Sequence, residues 1–149
     1  MTSGTAEANW TEAAALPVAA PLRAVERWHR EPDGEKTRLT GRVRVDGDEP
    51  NLRGHFPGLA IFPGIFILES LCQLMAEAFG STDAPPPALR SLRAVRFLAP
   101  LFDGDELTLR VEVTPGDGGW SAKAVGSRSD GTVAARIRAE FVPGEATDA

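Results

Sequence analysis

Two residues combine acid–base chemistry with an uncommon setting. Glu69 lies in the apolar run Ile65-Phe66-Ile67-Leu68-Glu69. An ionised carboxylate is expensive to hold away from water, and a carboxyl group that keeps its proton can donate it near neutrality. His55 heads a segment, residues 55–63, rich in apolar residues, proline and glycine. Histidine is the side chain best suited to accept a proton near pH 7, and packing by Phe56, Pro57, Gly58 and Pro63 would fix its ring. Pro63-Gly64 adds a third element. The first N–H groups of a helix lack intrahelical partners, and a glycine there lets a carbonyl approach and be polarised. The chemistry available is proton abstraction, proton donation and a polarised carbonyl.

Each feature also has a plainer reading. Glu69, Gln73 and Glu77 are spaced i, i+4, i+8, and a polar stripe is ordinarily a solvated helix face. A lone loop histidine is ordinarily a surface residue, and Pro63-Gly64 is a common helix start. His55 and Glu69 are 14 residues apart and cannot share a helical face. The residues alone leave open whether they meet within one chain or across a dimer.

The elements that must position these groups follow from periodicity. Residues 1–20 show little pattern and are expected as a flexible N-terminal tail. A short helical turn is expected over 22–28 and a turn over 31–35. Residues 37–45 alternate as a half-buried strand does, and 46–54 form a polar loop. Residues 64–79 hold good helix formers with no internal proline, preceded by Pro63 and closed by Gly80. After a proline-rich loop over 81–87, strands are expected at 88–97, 106–113, 120–128 and 132–142, with Asp130-Gly131 as a hairpin signal. One strand, one helix apolar around most of its circumference, then an antiparallel meander, is an α+β order with the helix wrapped by the sheet. The expected organisation is one domain over 21–143 and a C-terminal tail over 144–149.

Composition narrows the classes. With 149 residues, 42% hydrophobic and 25% charged, the chain suits one soluble domain. A net charge of −5 argues against a nucleic-acid binder. Cys72 is the only cysteine, so no internal disulfide forms, and with His29 and His55 it is a poor basis for structural zinc. No apolar run reaches the roughly 20 residues of a membrane span, and the N-terminus reads poorly as a signal peptide. A cytoplasmic setting is expected.

Residues 54–73, GHFPGLAIFPGIFILESLCQ, resemble the β-hydroxyacyl-acyl carrier protein dehydratases of the FabZ/FabA type. The matched positions are His55-Phe56-Pro57-Gly58, Pro63-Gly64, Glu69 and Gln73. Val95-Arg96-Phe97-Leu98-Ala99-Pro100 and Gly104-Asp105-Glu106-Leu107 are similar to a downstream strand and turn of that family. The resemblance covers roughly residues 38–142 and implies a hotdog fold, a long central helix wrapped by a curved antiparallel sheet. It further implies a dimer, homomeric or with a related hotdog subunit, whose active sites combine His55 of one chain with Glu69 of the other. His55 would take the α-proton of a 3-hydroxyacyl thioester, Glu69 would protonate the departing hydroxyl, and the Gly64 N–H would polarise the thioester carbonyl. Phe56, Pro57, Phe62, Pro63, Ile65 and Phe66 would line the acyl site, with Gln73 supporting Glu69. No metal or cofactor is implied.

The chain departs from the family pattern at Ala60, Phe62 and Leu98-Ala99, and lacks an N-terminal His-Arg-Tyr-Pro-Phe signature. Leu98-Ala99 replace a basic pair that tends to face the acidic carrier protein. Arg90, Arg93 and Arg96 are the candidates to take over that docking, with Arg23, Arg27 and Arg30 as alternatives. Those departures would mark a specialised dehydratase, for example one serving a polyketide or polyene assembly line; the choice between fatty acid and polyketide biosynthesis is left open by the sequence. Two other readings remain open: a hotdog acyl thioesterase, and a structural subunit completing a heterodimer.

Overall fold

The side chains that alternate along each strand decide which face of the sheet meets the helix. The computed structural model describes residues 9–13, 23–46, 61–62, 64–81 and 83–145, with Ile61, Phe62 and Ile65 as backbone. The strands are β1 (Thr11–Glu12), β2 (Arg27–Asp33), β3 (Lys36–Arg44), β4 (Ile61–Phe62), β5 (Ala88–Phe97), β6 (Leu101–Phe102), β7 (Glu106–Gly116), β8 (Gly119–Ser127) and β9 (Val133–Val142). Among the described residues there is one helix, α1 (Gly64–Phe79), between β4 and β5. Seven strands form one sheet in the order β1-β2-β3-β7-β8-β9-β5, and β4 pairs with β6. Every pairing is antiparallel.

Helix α1 buries Ile67, Leu71, Leu74, Met75 and Ala78. That is the i, i+4, i+7, i+8, i+11 stripe of a helix seated on a core. Each such large side chain contributes roughly 1.5–3 kcal/mol by leaving water. The sheet receives it with Leu39, Val43, Leu109, Val111 and Ile137, all buried. Small residues make the seat. A Cβ on Gly41 would sit 3.2 Å from Leu74 Cδ2, and one on Gly126 would sit 3.1 Å from Leu107 Cδ1. Ala122, Ala124, Ala135 and Ala139 extend the same low floor. The sheet can therefore come close around α1, as the apolar circumference of the helix requires.

The outer face carries the charges. Lys36 pairs with Glu112 at 2.9 Å and Arg38 with Asp33 at 3.0 Å, both exposed. Pairs of that kind are worth about 0–1 kcal/mol each, so the fold rests on the inner face.

The strands expected at 37–45, 88–97, 106–113, 120–128 and 132–142 are present, as is the helix over 64–79. The N-terminal part differs. Residues 23–26 form no helical turn, because Ala24, Val25 and Trp28 are drawn into the core and the backbone of β2 bonds to β3. The turn expected over 31–35 narrows to Gly34-Glu35, with Gly34 at φ 64°. Within the expected tail, Thr11–Glu12 pair with Trp28 and Arg27 at the edge of β2. The Trp10 ring lies 4.7 Å from the Arg27 guanidinium and 5.0 Å from that of Arg42, and meets His29 edge-on. Gly80 ends α1, but by closeness: a Cβ there would lie 2.5 Å from the Ala76 carbonyl oxygen and 3.3 Å from Pro86 Cα. Its N–H donates to that carbonyl at 2.8 Å.

Candidate active site

The first turn of α1 meets the last residue of β5. A Cβ on Gly64 would sit 2.8–2.9 Å from the Phe97 ring, so glycine lets an aromatic face lie against the helix start. Phe97 is 52% exposed and stands at the edge of the sheet. Gly64 thus faces the β5 edge, with the Phe97 ring packed against it.

A turn behind this point fastens the chain leading into the helix. The Asp105 carboxylate accepts from the Phe102 N–H at 2.7 Å, and Asp105 N–H donates to the Phe102 carbonyl at 2.9 Å. Gly104, at φ 92°, supplies a left-handed conformation that L side chains rarely adopt. The turn holds β6, which pairs with Ile61 and Phe62. It also exchanges two backbone hydrogen bonds with Val45, at 2.8 and 2.9 Å. One turn therefore anchors Val45 on one side of the His55 segment and Ile61–Phe62 on the other. The Gly104-Asp105-Glu106-Leu107 string was legible in the sequence; its anchoring role was not.

Glu69 lies five residues beyond Gly64, about 7.5 Å along the axis and roughly 140° around it. It is exposed in the single chain, turned away from the buried stripe. Its Oε1 accepts from Gln73 Nε2 at 3.3 Å. Gln73 Oε1 in turn accepts from the Ala24 N–H at 3.0 Å. The polar stripe is thus solvated at Glu69 and half-buried at Gln73 and Glu77. Ser70, on the buried side, is satisfied through its hydroxyl, which donates to the Phe66 carbonyl at 3.1 Å. Phe66 is half-buried against the core. Burial, and secondarily the Glu69 charge, pushes the Cys72 thiol up to about 11. It is a protonated thiol at neutral pH and a poor nucleophile.

His55, Phe56, Pro57 and Pro63 lie outside the described residues, as do the side chains of Phe62 and Ile65. Of the arginines on β5, Arg93 is engaged: its Nη2 lies 3.0 Å from both oxygens of Glu140, which Ser91 also bonds. Arg90 and Arg96 are exposed on the same strand. Arg96 stands opposite Arg136, and Ala94 opposite Arg138, on β9. Among the described residues no group of three or more His, Cys, Asp or Glu could hold a metal ion. No described helix is long and apolar enough to cross a membrane.

The model of the ApeI-like family, described as ApeI dehydratase, matches residues 30–134. The chain belongs to this dehydratase family. A 3-hydroxyacyl-[acyl-carrier-protein] dehydratase FabZ from Anaeromyxobacter sp. strain K is 36% identical over 135 residues, 85% of this chain and 83% of that protein. In three dimensions the chain resembles the dehydratase heterocomplex ApeI:P from Xenorhabdus doucetiae, with TM-score 0.59, 18% identity and coverage of 76% of this chain and 94% of that one. A putative thioesterase, yhdA, from Lactococcus lactis gives TM-score 0.61 at 10% identity, covering 80% and 91%. At such identities the structures speak for the fold alone, which is the hotdog fold of this family: one central helix in a curved antiparallel sheet.

Proposed function

We propose that the chain dehydrates 3-hydroxyacyl thioesters carried on acyl carrier protein to trans-2-enoyl thioesters, as one half of a dimer. The family match supports the reaction class. The observation that carries the site reading is the placement on α1. Gly64 faces Phe97 at the β5 edge, while Glu69 stands about 140° away. One α1 therefore offers its carbonyl-polarising start and its acid to different neighbours, as sites shared between two subunits require.

In this mechanism His55 takes a proton from C2 while the Gly64 N–H stabilises negative charge on the thioester oxygen. Glu69 of the other subunit gives its proton to the 3-hydroxyl oxygen. The C2–H and C3–O bonds break, the C2=C3 bond forms, and water leaves. The proton taken at C2 balances the one given at C3. Phe66, with Phe56, Pro57, Phe62, Pro63 and Ile65, forms the acyl site.

The partner subunit joins at β5. Among the described residues, that strand has a neighbour only in β9 within the sheet. It and the residue after it expose Leu89, Leu92, Phe97 and Leu98 at 37–52%. A ten-residue strand with an open edge and uncovered apolar side chains is a template for another strand. The neighbour is a second copy or a related subunit; the heteromeric character of the Xenorhabdus complex favours keeping the latter in view. The acidic carrier protein would meet Arg90 and Arg96, with Arg136 and Arg138 beside them. Arg93 contributes less there, because Glu140 neutralises it. The reaction would serve fatty acid or polyketide assembly in the cytoplasm.

The test is intact-protein mass spectrometry of a 3-hydroxyacyl carrier protein incubated with the purified chain. Loss of one water is expected, and His55→Ala and Glu69→Gln should each abolish it while native mass spectrometry still reports a dimer. Loss of the whole acyl group would instead make the protein a thioesterase. A monomer without turnover would make it one subunit of a heterodimer.

A further inference from the structure

We propose that the outer face of the sheet carries a binding site for a soluble sugar phosphate, with its phosphate over Thr40 and held by Arg110, Arg42 and His29. The site lies across the sheet from α1, so the proposal does not depend on the dehydratase reading.

A cleft of about 540 Å³ crosses β2, β3, β7 and β8. Strand register makes it. Thr40 stands opposite His29 on β2 and opposite Arg110 on β7, and Arg110 stands opposite Val125 on β8. The flanking residues Leu39, Leu109, Val111 and Ala124 are buried in the core, so Thr40, Arg110 and Val125 point outward. Thr40 and Val125 are short. Arg38 and Arg42 on either side of Thr40, and Lys123 beside Val125, are long. Short side chains ringed by long ones leave a hollow with Thr40 on its floor.

The donors around that hollow lack acceptors. Arg110 is exposed, and among the described residues its guanidinium has no hydrogen bond or ion pair. Arg42 Nε is buried without a partner, and its Nη1 comes no nearer than 3.9 Å to Glu106. His29 Nδ1 is also buried without a partner; the Glu31 carboxylate lies 4.0 Å away, beyond hydrogen-bond reach. Unmet polar groups of this kind are uncommon in folded proteins and call for an ion or water. An anion in the hollow meets Arg110 and Thr40 directly and draws Arg42 and His29 to it by a turn of each side chain.

Charge selects the ligand. Four cations, Arg38, Arg42, Arg110 and Lys123, line the cleft against two carboxylates, Glu31 and Glu112. In a chain of net charge −5 this is a local reversal of sign. Lys36 pairs with Glu112 at 2.9 Å, which weakens its repulsion of an anion. A phosphate monoester carries about −1.5 to −2 charge at pH 7 and three strong acceptor oxygens, which matches both the excess of cations and the number of unmet donors. The cleft is larger than a phosphate alone and falls in the range of small-molecule sites, roughly 300–1,000 Å³. Its two rows differ. His29, Thr40, Arg110 and Val125 form a row without a carboxylate, the place for the phosphate. Glu31, Arg38, Glu112 and Lys123 form a row of alternating sign. Hydroxyl groups both donate and accept, so that row suits a hydroxylated body.

The experiment titrates the full chain with inorganic phosphate, ribose 5-phosphate and ribose by isothermal calorimetry, at constant ionic strength set with sodium chloride. Both phosphates should bind saturably, ribose 5-phosphate about threefold tighter or more, and ribose not measurably. Arg110→Gln should weaken ribose 5-phosphate at least about tenfold, as loss of a charge-assisted hydrogen bond does. Arg110→Lys keeps the charge without the fork and should weaken it about threefold, which preserves the comparison if Arg110→Gln fails to fold. Arg90→Gln removes the same charge from β5, beyond β8 and β9, and should stay within about twofold. Melting temperatures without ligand report the fold of each variant. Equal losses in Arg110→Gln and Arg90→Gln would reduce the effect to general charge attraction and overturn the site. Absence of saturable binding by either phosphate would overturn it as well. Sedimentation with phosphatidic acid vesicles, without binding of ribose 5-phosphate, would make the face a lipid surface and overturn the soluble ligand. Ribose 5-phosphate no tighter than inorganic phosphate would remove the sugar from the proposal.

Discussion

The contact between Gly41 and Leu74 yields a prediction in which one substitution changes sign. In a strand, glycine is entropically costly, and Gly→Ala at a compatible position gains roughly 0.5–1 kcal/mol. At Gly41 the new Cβ would lie 3.2 Å from Leu74 Cδ2 and 3.4 Å from Cδ1. Leu74 is 0% exposed and has nowhere to retreat. Inserting a methyl into a packed core costs about 1–3 kcal/mol, so the clash outweighs the gain and Gly41→Ala should destabilise by about 1 kcal/mol. Leu74→Ala alone should cost about 3–4 kcal/mol, within the usual range for a buried leucine, because a hydrogen-bonded sheet floor cannot collapse into the hole. In the Leu74→Ala background the obstacle is gone, and Gly41→Ala should stabilise by about 0.5–1 kcal/mol. The coupling between the two sites is then about 1.5–2 kcal/mol, well above the error of a mutant cycle. Urea unfolding of the four proteins at one fixed concentration gives the numbers, since the stability of any associating protein depends on concentration. If Gly41→Ala has the same sign in both backgrounds, the seating of α1 on the glycine of β3 is wrong, and with it the placement of Glu69 relative to the sheet.

Three further expectations concern the edge and the titrating groups. Leu92→Asp, at a side chain 43% exposed on β5, should convert the proposed dimer to monomer in native mass spectrometry and remove turnover without unfolding the chain. The Cys72 thiol, raised to about 11 first by burial and then by Glu69, should react with a disulfide reagent at pH 8 far more slowly than a free thiol; labelling at the rate of an exposed cysteine would contradict its packing. Asp130 is lowered to about 2, first by the backbone N–H of Thr132, then by the Thr132 hydroxyl and Arg128. A depressed carboxyl stabilises the fold above its unfolded value near 4 and loses that contribution as pH falls toward 2. Asp130→Asn should therefore flatten the melting temperature across that window, and an unchanged acid profile would place Asp130 outside the hairpin network.

Most of the fold was legible because the chain pays out its hydrophobic pattern in long runs. The run 64–79 has neither proline nor an internal break, and β7 alternates cleanly from Leu107 to Val113. The N-terminal region was not legible, for a local reason. In RWHREPD the inward positions hold Trp28 and then Arg30, whose guanidinium donates to the Ala78 carbonyl and lies 5.2 Å from the Phe79 ring. A buried-side arginine erases the alternation that announces a strand. In the candidate site, Glu69 and Gln73 could be linked from their i, i+4 spacing. The Ala24 contact could not, because a backbone N–H leaves no trace in a pattern of side chains. The His55 segment is marked by its composition and lies outside the described residues.

The two-residue strand β1 has a consequence for how far assembly can go. It occupies the N-terminal end of the β2 edge at Arg27 and Trp28. The rest of that edge runs through Glu31, Pro32 and Asp33. Proline offers no N–H to a newcomer, and the carboxylates repel a like edge. Among the described residues, the protomer has one sheet edge fit for recruitment and one that refuses it. A body with a single valence cannot propagate: in the proposed pair, with a two-fold twin or a look-alike, the joined sheet would terminate in two refusing edges. The same open strand that would seed a filament on a divalent molecule would here be confined to closed pairs, and the short N-terminal strand helps to impose that limit.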